Sequence, residues 1–365
     1  MQLLPELNEG GVERGVVELS RELVTRGIES VVISRGGRLV EQIEAEGGRH
    51  LPFDVAGKNL LTAPARVLGL RALLRRVQPD LLHARSRVPA WLAYLANRKL
   101  RLPLITTVHG FNSVNSYSRV MTFGDRVICV STAIKDYIQH HYQVPEDKIV
   151  VIPRGVDLEF FDPQRLDEAF MAGFRAEHGL AGRFVVTAVG RITQLKDYET
   201  LLRAIAAVRR RVPEVLCLIV GGVRADKEGY YRELQALVAR LELSAAVRFT
   251  GSQSRVPEIY ALSDVVVSSS RKPESFGRSA AEALAMNVPV VASAHGGMLD
   301  IVRDGETGFL FAPGDAEALA DGLLRCRAHG FADLRAYVER HFTLEQMTAR
   351  TLEVYRSLTA EGPSQ

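Results

Sequence analysis

The stretch VVVSSSRKPESFGRSAAEALAMNVPVVA, residues 265–292, decides the fold. It begins with a β-branched run at 265–268 and ends with another at 288–292, and each run is short enough to form one buried strand. Between them, residues 277–286 have the apolar spacing of a helix. A strand, a crossover helix and a second strand form the repeating unit of a parallel sheet covered by helices. The stretch therefore predicts an α/β domain.

The same alternation runs through all 365 residues, and a chain of this length is typical of two domains. Further strands are predicted at 30–34, 81–83, 104–108, 126–130, 149–152, 184–189, 216–220, 247–250 and 309–311. Helices are predicted at 11–27, 37–47, 64–77, 87–98, 131–142, 197–211, 229–241, 255–262, 315–329 and 343–359. We predict two doubly wound, Rossmann-like domains, 1–160 and 161–342, that face each other across a cleft. The remainder, 343–365, carries a C-terminal helix that can pack back on the first domain.

The composition excludes several classes of protein. With 47% apolar and 24% charged residues the chain is neither disordered nor membrane-spanning, because its longest apolar runs fall far short of ~20 residues. Glu6 and Glu9 follow Met1 too closely for a signal peptide, and only Gln2–Leu4 precede Pro5. The first strand is therefore short, or the gene start is set late. Three cysteines without a CxxC pair indicate a reduced, cytoplasmic protein without a zinc site.

The net charge of +3 is distributed unevenly along the chain. Residues 1–155 hold 21 Lys and Arg against 15 Asp and Glu, whereas residues 156–365 hold 25 against 28. Within 66–101, nine basic residues alternate with apolar residues and meet one acid, Asp80. Such a basic and apolar face is attracted to an anionic membrane by ~1 kcal/mol per basic residue, although an ordinary solvated helix face is the alternative.

We assign acceptor or membrane contacts to five arginines of this segment: Arg71, Arg75, Arg76, Arg85 and Arg87. The expected location is the inner face of the plasma membrane. No basic run alternates with stacking aromatic residues, so we expect no nucleic-acid partner. The oligomeric state is left open.

The candidate chemistry lies where strands pass into helices, because ligands of open α/β sheets bind at the carboxyl ends of the strands. Gly190 and Arg191 follow the strand at 184–189, and Lys196 precedes the next helix. Two cations at this position suit a diphosphate, although a surface salt bridge is the ordinary interpretation for either one alone.

Two carboxylates flank the start of the helix at 277–286. Glu274 lies in the preceding loop and Glu282 inside the helix, so the two can address different parts of one ligand. The pairs Gly10-Gly11 and Gly296-Gly297 are placed where backbone can approach a ligand closely. Structural roles are the alternative for each of these residues.

Several motifs resemble one known family in their order along the chain. They are Leu4–Leu7 with Gly10–Glu13, Thr106–Gly110, Ile152–Asp157, Gly190-Arg191 with Lys196, and Glu274 with Glu282 inside Pro-Glu-Ser-Phe-Gly…Ala-Glu-Ala-Leu-Ala. Together they look like the E-x7-E region and companion motifs of the retaining GT-B glycosyltransferases of family 4, which include lipopolysaccharide-core and glycolipid glycosyltransferases. Arg154 departs from the family pattern, in which Asn is common, and can pair with an acid or meet an anionic acceptor.

The resemblance implies a role for each matching residue. The catalytic set would be Arg191 and Lys196 on the diphosphate, Glu274 on the sugar hydroxyls, and His109 reaching the donor sugar from the first domain. Glu282 would bind the ribose, and Gly11 would approach the diphosphate and the acceptor. The full donor-binding set is Gly11, Gly190, Arg191, Lys196, Glu274, Ser275, Phe276, Gly277 and Glu282.

The implied reaction transfers a hexose-type sugar from a nucleotide sugar to a hydroxyl of a lipid-linked or oligosaccharide acceptor, such as lipopolysaccharide core or another cell-envelope glycan. The anomeric configuration is retained by same-face displacement. We expect no cofactor and no metal, because no Asp-x-Asp occurs and the two cations can replace a metal ion. UDP-sugars are favoured over GDP-mannose as donor. The alternatives are a sugar-nucleotide epimerase of the same fold and a non-catalytic nucleotide-sugar-binding subunit.

Overall fold

The computed structural model describes residues 1–8 and 10–359. The chain divides into two compact units. The first contains residues 1–155 together with the chain from Leu344 onward, and the second contains Val156–Thr343. The division at 155/156 lies five residues before the predicted domain boundary at 160/161.

The first unit is built on a seven-stranded sheet in the order β3-β2-β1-β4-β5-β6-β7, and every pairing in it is parallel. Its strands are β1 (Gln2–Leu3), β2 (Val31–Ser34), β3 (Arg49–Pro52), β4 (Leu82–Ala84), β5 (Leu104–Val108), β6 (Arg126–Cys129) and β7 (Ile149–Val151). Its helices are α1 (Gly11–Thr25), α2 (Val40–Ala45), α3 (Ala63–Val77), α4 (Arg87–Asn97), α5 (Thr132–Tyr142) and α14 (Leu344–Thr359).

The C-terminal helix α14 belongs to the core of the first unit. Leu352 and Tyr355 of α14 pack in one buried cluster with Leu19 of α1 and Ile128 of β6. The Tyr355 hydroxyl also lies 2.7 Å from Nδ1 of His83, which is fully buried. The helix thus completes one face of this sheet.

The second unit repeats the architecture with six parallel strands in the order β10-β9-β8-β11-β12-β13. Its strands are β8 (Phe184–Val189), β9 (Val215–Val220), β10 (Val247–Gly251), β11 (Val265–Ser268), β12 (Val290–Ser293) and β13 (Gly308–Phe311). Its helices are α6 (Glu168–His178), α7 (Tyr198–Arg209), α8 (Glu228–Arg240), α9 (Val256–Ala261), α10 (Arg278–Ala285), α11 (Met298–Ile301), α12 (Ala316–Ala328) and α13 (Leu334–His341).

The predicted α/β class, with two parallel sheets flanked by helices, is confirmed. Strand β3 and helices α6, α11 and α13 were not predicted from the sequence. Strand β3 reads RHLP and is exposed or half-buried along its length, because it is the edge strand and needs no apolar run. The first strand is only two residues long, yet it pairs with both β2 and β4.

Because the strands of each sheet are parallel, all their carboxyl ends lie at one edge, where the strand-to-helix loops collect. Within the described part of the chain, no helix is long and apolar enough to cross a membrane.

Candidate functional site

In the second unit the loops after β8 and β11 meet, because these two strands are neighbours in the sheet. Lys196, at the end of a 3-10 turn (Gln194–Lys196), places its Nζ 2.7 Å from Oε1 of Glu274. The loops are also joined through backbone groups: Arg271 N donates to Leu195 O at 2.9 Å, and Ser269 Oγ donates to Lys196 O at 2.8 Å. The two predicted site residues therefore form one preorganised ion pair.

Further hydrogen bonds hold the carboxylate of Glu274 in place. Ser268 donates to its Oε1 at 3.2 Å, and Ser270 donates to the same oxygen. Burial raises the pKa of Glu274, but Lys196 and the serine hydroxyls outweigh burial, so the pKa lies below its ordinary value. Glu274 is therefore an anion and a hydrogen-bond acceptor at neutral pH.

A cavity of about 390 Å³ opens beside this ion pair. It is lined by Arg191, Thr193, Leu195, Lys196, Ser270, Lys272, Pro273, Glu274 and Ser275. The exposed side chain of Arg191 makes no hydrogen bond or ion pair with the described residues, so its charge is available to a ligand. Lys272 is a third cation of the lining that the sequence analysis did not single out, although it lies only two residues before Glu274. The cavity suits an anion that also carries hydroxyl groups.

Glu282 lies apart from this lining, on α10. Its carboxylate accepts hydrogen bonds from the Tyr260 hydroxyl at 3.2 Å and from Arg278 Nε at 3.1 Å. Burial, and then the carboxylate of Glu282, raises the pKa of Tyr260 well above its ordinary value, so the hydroxyl remains a donor. Glu282 is thus oriented by two side chains that sequence reasoning did not identify.

The second glycine pair contacts the protein itself. Gly297 N donates to Glu274 O at 2.8 Å, and a side chain at Gly297 would collide with the backbone of Phe276. This packing gives a structural reason for glycine, since the pair supports the loop that carries Glu274; the expected approach of Gly296-Gly297 to a ligand stays a prediction. Phe276 is buried, and Gly277 precedes α10 with φ +105, in the left-handed region that favours glycine.

In the first unit, Gly11 begins α1 and His109 follows β5, as the sequence predicts. Arg154 Nη2 lies 3.2 Å from His109 Nδ1. Since a guanidinium can only donate, Nδ1 accepts and the ring proton lies on Nε2, which has no partner among the described residues. Burial, followed by the charges of Arg154, Arg85 and His83, lowers the pKa of His109 well below its ordinary value. The imidazole is neutral at pH 7.

The five arginines assigned to a membrane surface do not share one surface. Arg85 is only 7% exposed and lies inside the first unit, so it does not lie at a membrane surface, and its assignment to the acceptor stays a prediction. Arg71 donates to the carbonyls of Leu95 and Ala96, and the half-buried Arg87 donates to Ser118 Oγ at 3.3 Å. Arg75 and Arg76, near the end of α3, are exposed. The alternation of basic and apolar residues in the sequence did not reveal that β4 carries Arg85 into the interior.

No three His, Cys, Asp or Glu side chains converge as a metal site within residues 1–8 and 10–359.

Comparison with known proteins gives a family match to each unit. Residues 9–160 match Glycosyltransferase Family 4, and residues 172–335 match Glycosyl transferases group 1. The D-inositol 3-phosphate glycosyltransferase of Rhodococcus jostii (strain RHA1) is 30% identical over 98% of this chain and 87% of its own length. The enzyme of the same name from Actinosynnema mirum is 31% identical over 87% of this chain and 83% of its own length.

Solved structures agree with these matches. A glycosyltransferase from Rickettsia africae ESF-5 has a TM-score of 0.90 and 30% identity, covering 98% of this chain and 97% of that one. Anabaena Alr3699/HepE, solved in complex with UDP and glucose, has a TM-score of 0.84 and 23% identity over 98% of this chain and 99% of its own, and supports the fold alone. The chain, which shares the two-domain GT-B fold, is a glycosyltransferase and belongs to glycosyltransferase family 4.

Proposed function

We propose that this glycosyltransferase moves a hexose-type sugar from a nucleotide-sugar donor to a hydroxyl of a lipid-linked or saccharide acceptor, with retention at the anomeric carbon. The cavity in which Arg191, Lys196 and Lys272 surround Glu274 carries the proposal. Cations on one side suit a diphosphate, and a fixed carboxylate suits sugar hydroxyls. UDP-sugars are favoured over GDP-mannose, in keeping with the UDP and glucose held by Anabaena HepE.

In the proposed reaction the bond between the anomeric carbon and the diphosphate breaks, and the acceptor oxygen bonds to that carbon on the same face. The leaving phosphate oxygen takes the acceptor proton. Arg191 and Lys196 neutralise the charge that develops on the leaving diphosphate. Glu274 binds sugar hydroxyls, and Lys196 and two serines hold its Oε1 in place. No cofactor and no metal ion take part.

The remaining donor contacts come from residues around this cavity. Glu282, whose carboxylate is oriented by Tyr260 and Arg278, binds the ribose hydroxyls as a hydrogen-bond acceptor. Gly190, Ser275, Phe276 and Gly277 contribute backbone groups next to the sugar and phosphates.

The first unit contributes His109 and Gly11. The Nε2–H of His109 donates to a hydroxyl of the donor sugar, since its Nδ1 is oriented by Arg154. Gly11 allows the start of α1 to approach the diphosphate and the acceptor, because it has no Cβ and no described atom lies within 4 Å of where a Cβ would stand.

The acceptor is a polar hydroxyl compound of the cell envelope, with lipopolysaccharide core among the candidates. The relatives from Rhodococcus and Actinosynnema are named for D-inositol 3-phosphate, a small phosphorylated polyol. A soluble phosphorylated polyol therefore belongs in the same acceptor panel as lipid-linked saccharides.

We propose that the enzyme is cytoplasmic and binds the inner face of the plasma membrane. The binding surface lies around α3 and is smaller than the set of five arginines predicted from the sequence. Leu61 and Leu68 are 91% and 61% exposed, and Leu68 shares a helix face with Arg75, seven residues later. Arg76 lines an apolar cavity of about 470 Å³ with Phe53 and Leu73. Exposed leucines beside basic residues fit an anionic lipid surface. Equal pelleting with anionic and neutral liposomes would contradict this part.

The function is tested by supplying UDP- and GDP-sugars and measuring released nucleoside diphosphate with a panel of acceptors. Lys196→Ala and Glu274→Ala should each lower transfer at least a hundredfold, whereas Lys135→Ala should not, although Lys135 forms a similar 2.6 Å pair with Glu146. Near-normal transfer by both site variants would refute the proposed site.

The products separate this function from its rivals. A sugar-nucleotide epimerase would release a free epimer without acceptor, and a binding subunit would release nothing. An α-linked product from an α-linked donor, read from the anomeric proton coupling by NMR, supports retention. An inverted product would contradict the same-face mechanism.

A further inference from the structure

Arg85 is a buried cation that forms no ion pair with any residue the structure describes. It is 93% buried, its Nε has no hydrogen-bond partner, and its side chain forms no hydrogen bond or ion pair with the described residues. Burial lowers its pKa to about 10, with Tyr355 and Glu18 opposing the shift, so the group remains charged at neutral pH. A buried charge without an ion pair destabilises a fold, so an anion bound beside Arg85 would be stabilising.

Other basic groups face the same place. A Cβ at Gly15 of α1 would lie 3.7 Å from Nη2 of Arg85 and would collide with Nη1 of Arg154, so both guanidinium groups lie against one turn of that helix. Arg154 in turn contacts His109, whose Nε2–H has no partner among the described residues. His83 is already bound to Tyr355 and Thr107. The cluster of Arg85, His109 and Arg154 therefore presents only hydrogen-bond donors.

These three residues line one narrow cavity at the carboxyl ends of the strands. The rest of its wall is formed by Thr107 and Thr351 and by the apolar side chains of Leu19, Ile128, Val130, Ile152 and Met347. Its volume of about 20 Å³ accommodates roughly one water molecule, and hence one oxygen atom of a larger anion. The wall thus selects an anionic oxygen that projects from a group held outside the cavity.

We propose that Arg85 and Arg154 bind an anionic oxygen, of a phosphate or a carboxylate, carried by the acceptor, while the Nε2–H of the neighbouring His109 serves the donor sugar. The assignment of this site to the acceptor rests on the proposed function: Arg191 and Lys196 of the second unit are assigned to the donor diphosphate, so a separate anion site in the first unit is assigned to the other substrate. Arg85 and Arg154 are then positioning residues that orient an anionic acceptor, and neutral acceptors are disfavoured.

The binding test uses the full chain with saturating UDP, which occupies the donor site. Inorganic phosphate and acetate are titrated at constant ionic strength, and binding is followed by calorimetry. We expect Arg85→Gln and Arg154→Gln to weaken binding of the preferred anion at least tenfold. Arg98→Gln, which removes an exposed arginine of the same unit, should leave it unchanged. Absence of phosphate and acetate binding to the wild type, or equal binding by Arg85→Gln, would overturn the proposal.

Two further measurements separate the possible failures. Lys196→Ala should lose UDP, and adding Arg85→Gln to it should still weaken anion binding, so a failure of the donor proposal leaves this test readable. The Tm of Arg85→Gln should be no lower than that of the wild type, because the substitution removes an unpaired buried charge. If Arg85→Gln does not fold, the anion titration of Arg154→Gln, at a half-buried position, tests the proposal by itself. If Arg85→Gln or Arg154→Gln lost only the ability to use UDP-glucuronate as donor, while phosphate and acetate binding stayed unchanged, the site would belong to the donor. That outcome would refute the acceptor assignment.

Discussion

Replacing Lys196 by Met removes the cation of the Lys196–Glu274 pair while keeping an unbranched side chain of similar length. The two side chains are 25% and 20% exposed, so the pair lies between an exposed pair, at ~0–1 kcal/mol, and a fully buried pair that costs ~3–5 kcal/mol to break. We therefore expect Lys196→Met to destabilise the second unit by about 2 kcal/mol. For a unit of this size, that lowers Tm by roughly 4–8 °C.

A double-mutant cycle tests the origin of this cost. In Lys196→Met the Glu274 carboxylate remains sheltered without its cation, and adding Glu274→Gln removes that charge. The double variant should therefore be more stable than the sum of the single effects by about 1–2 kcal/mol, measured by urea unfolding. Transfer should fall about 10²–10³-fold in Lys196→Met, as for loss of an electrostatic stabiliser of the transition state.

Lys135→Met is the matched control, because Lys135 has a 2.6 Å contact with Glu146 but that carboxylate is 75% exposed. It should change neither Tm nor the transfer rate appreciably. The reasoning fails if Glu274→Gln costs the same stability in the Lys196→Met background as in the wild type. Equal effects of Lys196→Met and Lys135→Met on transfer would also contradict it.

Three other perturbations have defined outcomes. The pKa of Glu274 lies below its ordinary value, so the ionised carboxylate stabilises the fold fully above about pH 4.5. This stabilisation is lost as the pH falls through the folded-state pKa. Urea unfolding measured from pH 7 to 3 should therefore show a smaller loss of unfolding free energy in Glu274→Gln than in the wild type. Gly297→Ala should destabilise the fold by about 1–3 kcal/mol, because the new Cβ collides with the Phe276 backbone. Gly173→Ala, in α6 with open space around it, should stabilise the fold by about 0.5–1 kcal/mol. Equal Tm values for the two variants would refute the close packing at Gly297. Deleting the chain from Leu344 removes Leu352 and Tyr355 from the core of the first unit, so its cooperative thermal unfolding should be lost; retention of the wild-type transition would contradict the contribution of α14.

Periodicity and turn residues were sufficient for the strands that lie inside the sheets. β5, β8 and β11 have the predicted limits, because a central strand of a parallel sheet is apolar on both faces and stands out in the sequence. Edge strand β3 lacks that signal, since one side of it meets solvent. Helices α6, α11 and α13 lie in segments where the sequence pattern predicted neither a helix nor a strand.

The candidate site was likewise predictable from the sequence only in part. Glu274, Lys196 and Arg191 could be selected from the sequence, because each follows a strand that ends at the ligand-binding edge of a parallel sheet. The contact between Lys196 and Glu274 depends on β8 and β11 being neighbours, which the chain order does not state. Tyr260, which orients Glu282, lies on a different helix and carried no sequence signal.

The sequence by itself determined the α/β class, the family motifs and the strand-end positions of the donor-site residues, because these follow from local periodicity and spacing. Only the tertiary structure decided which charges meet and which are buried. Arg85 was indistinguishable from its basic neighbours along the chain, yet β4 carries it into the interior while α3 leaves Arg75 in solvent. Burial is set by which elements pack together, so the electrostatic role of a residue depends on contacts between segments far apart in sequence.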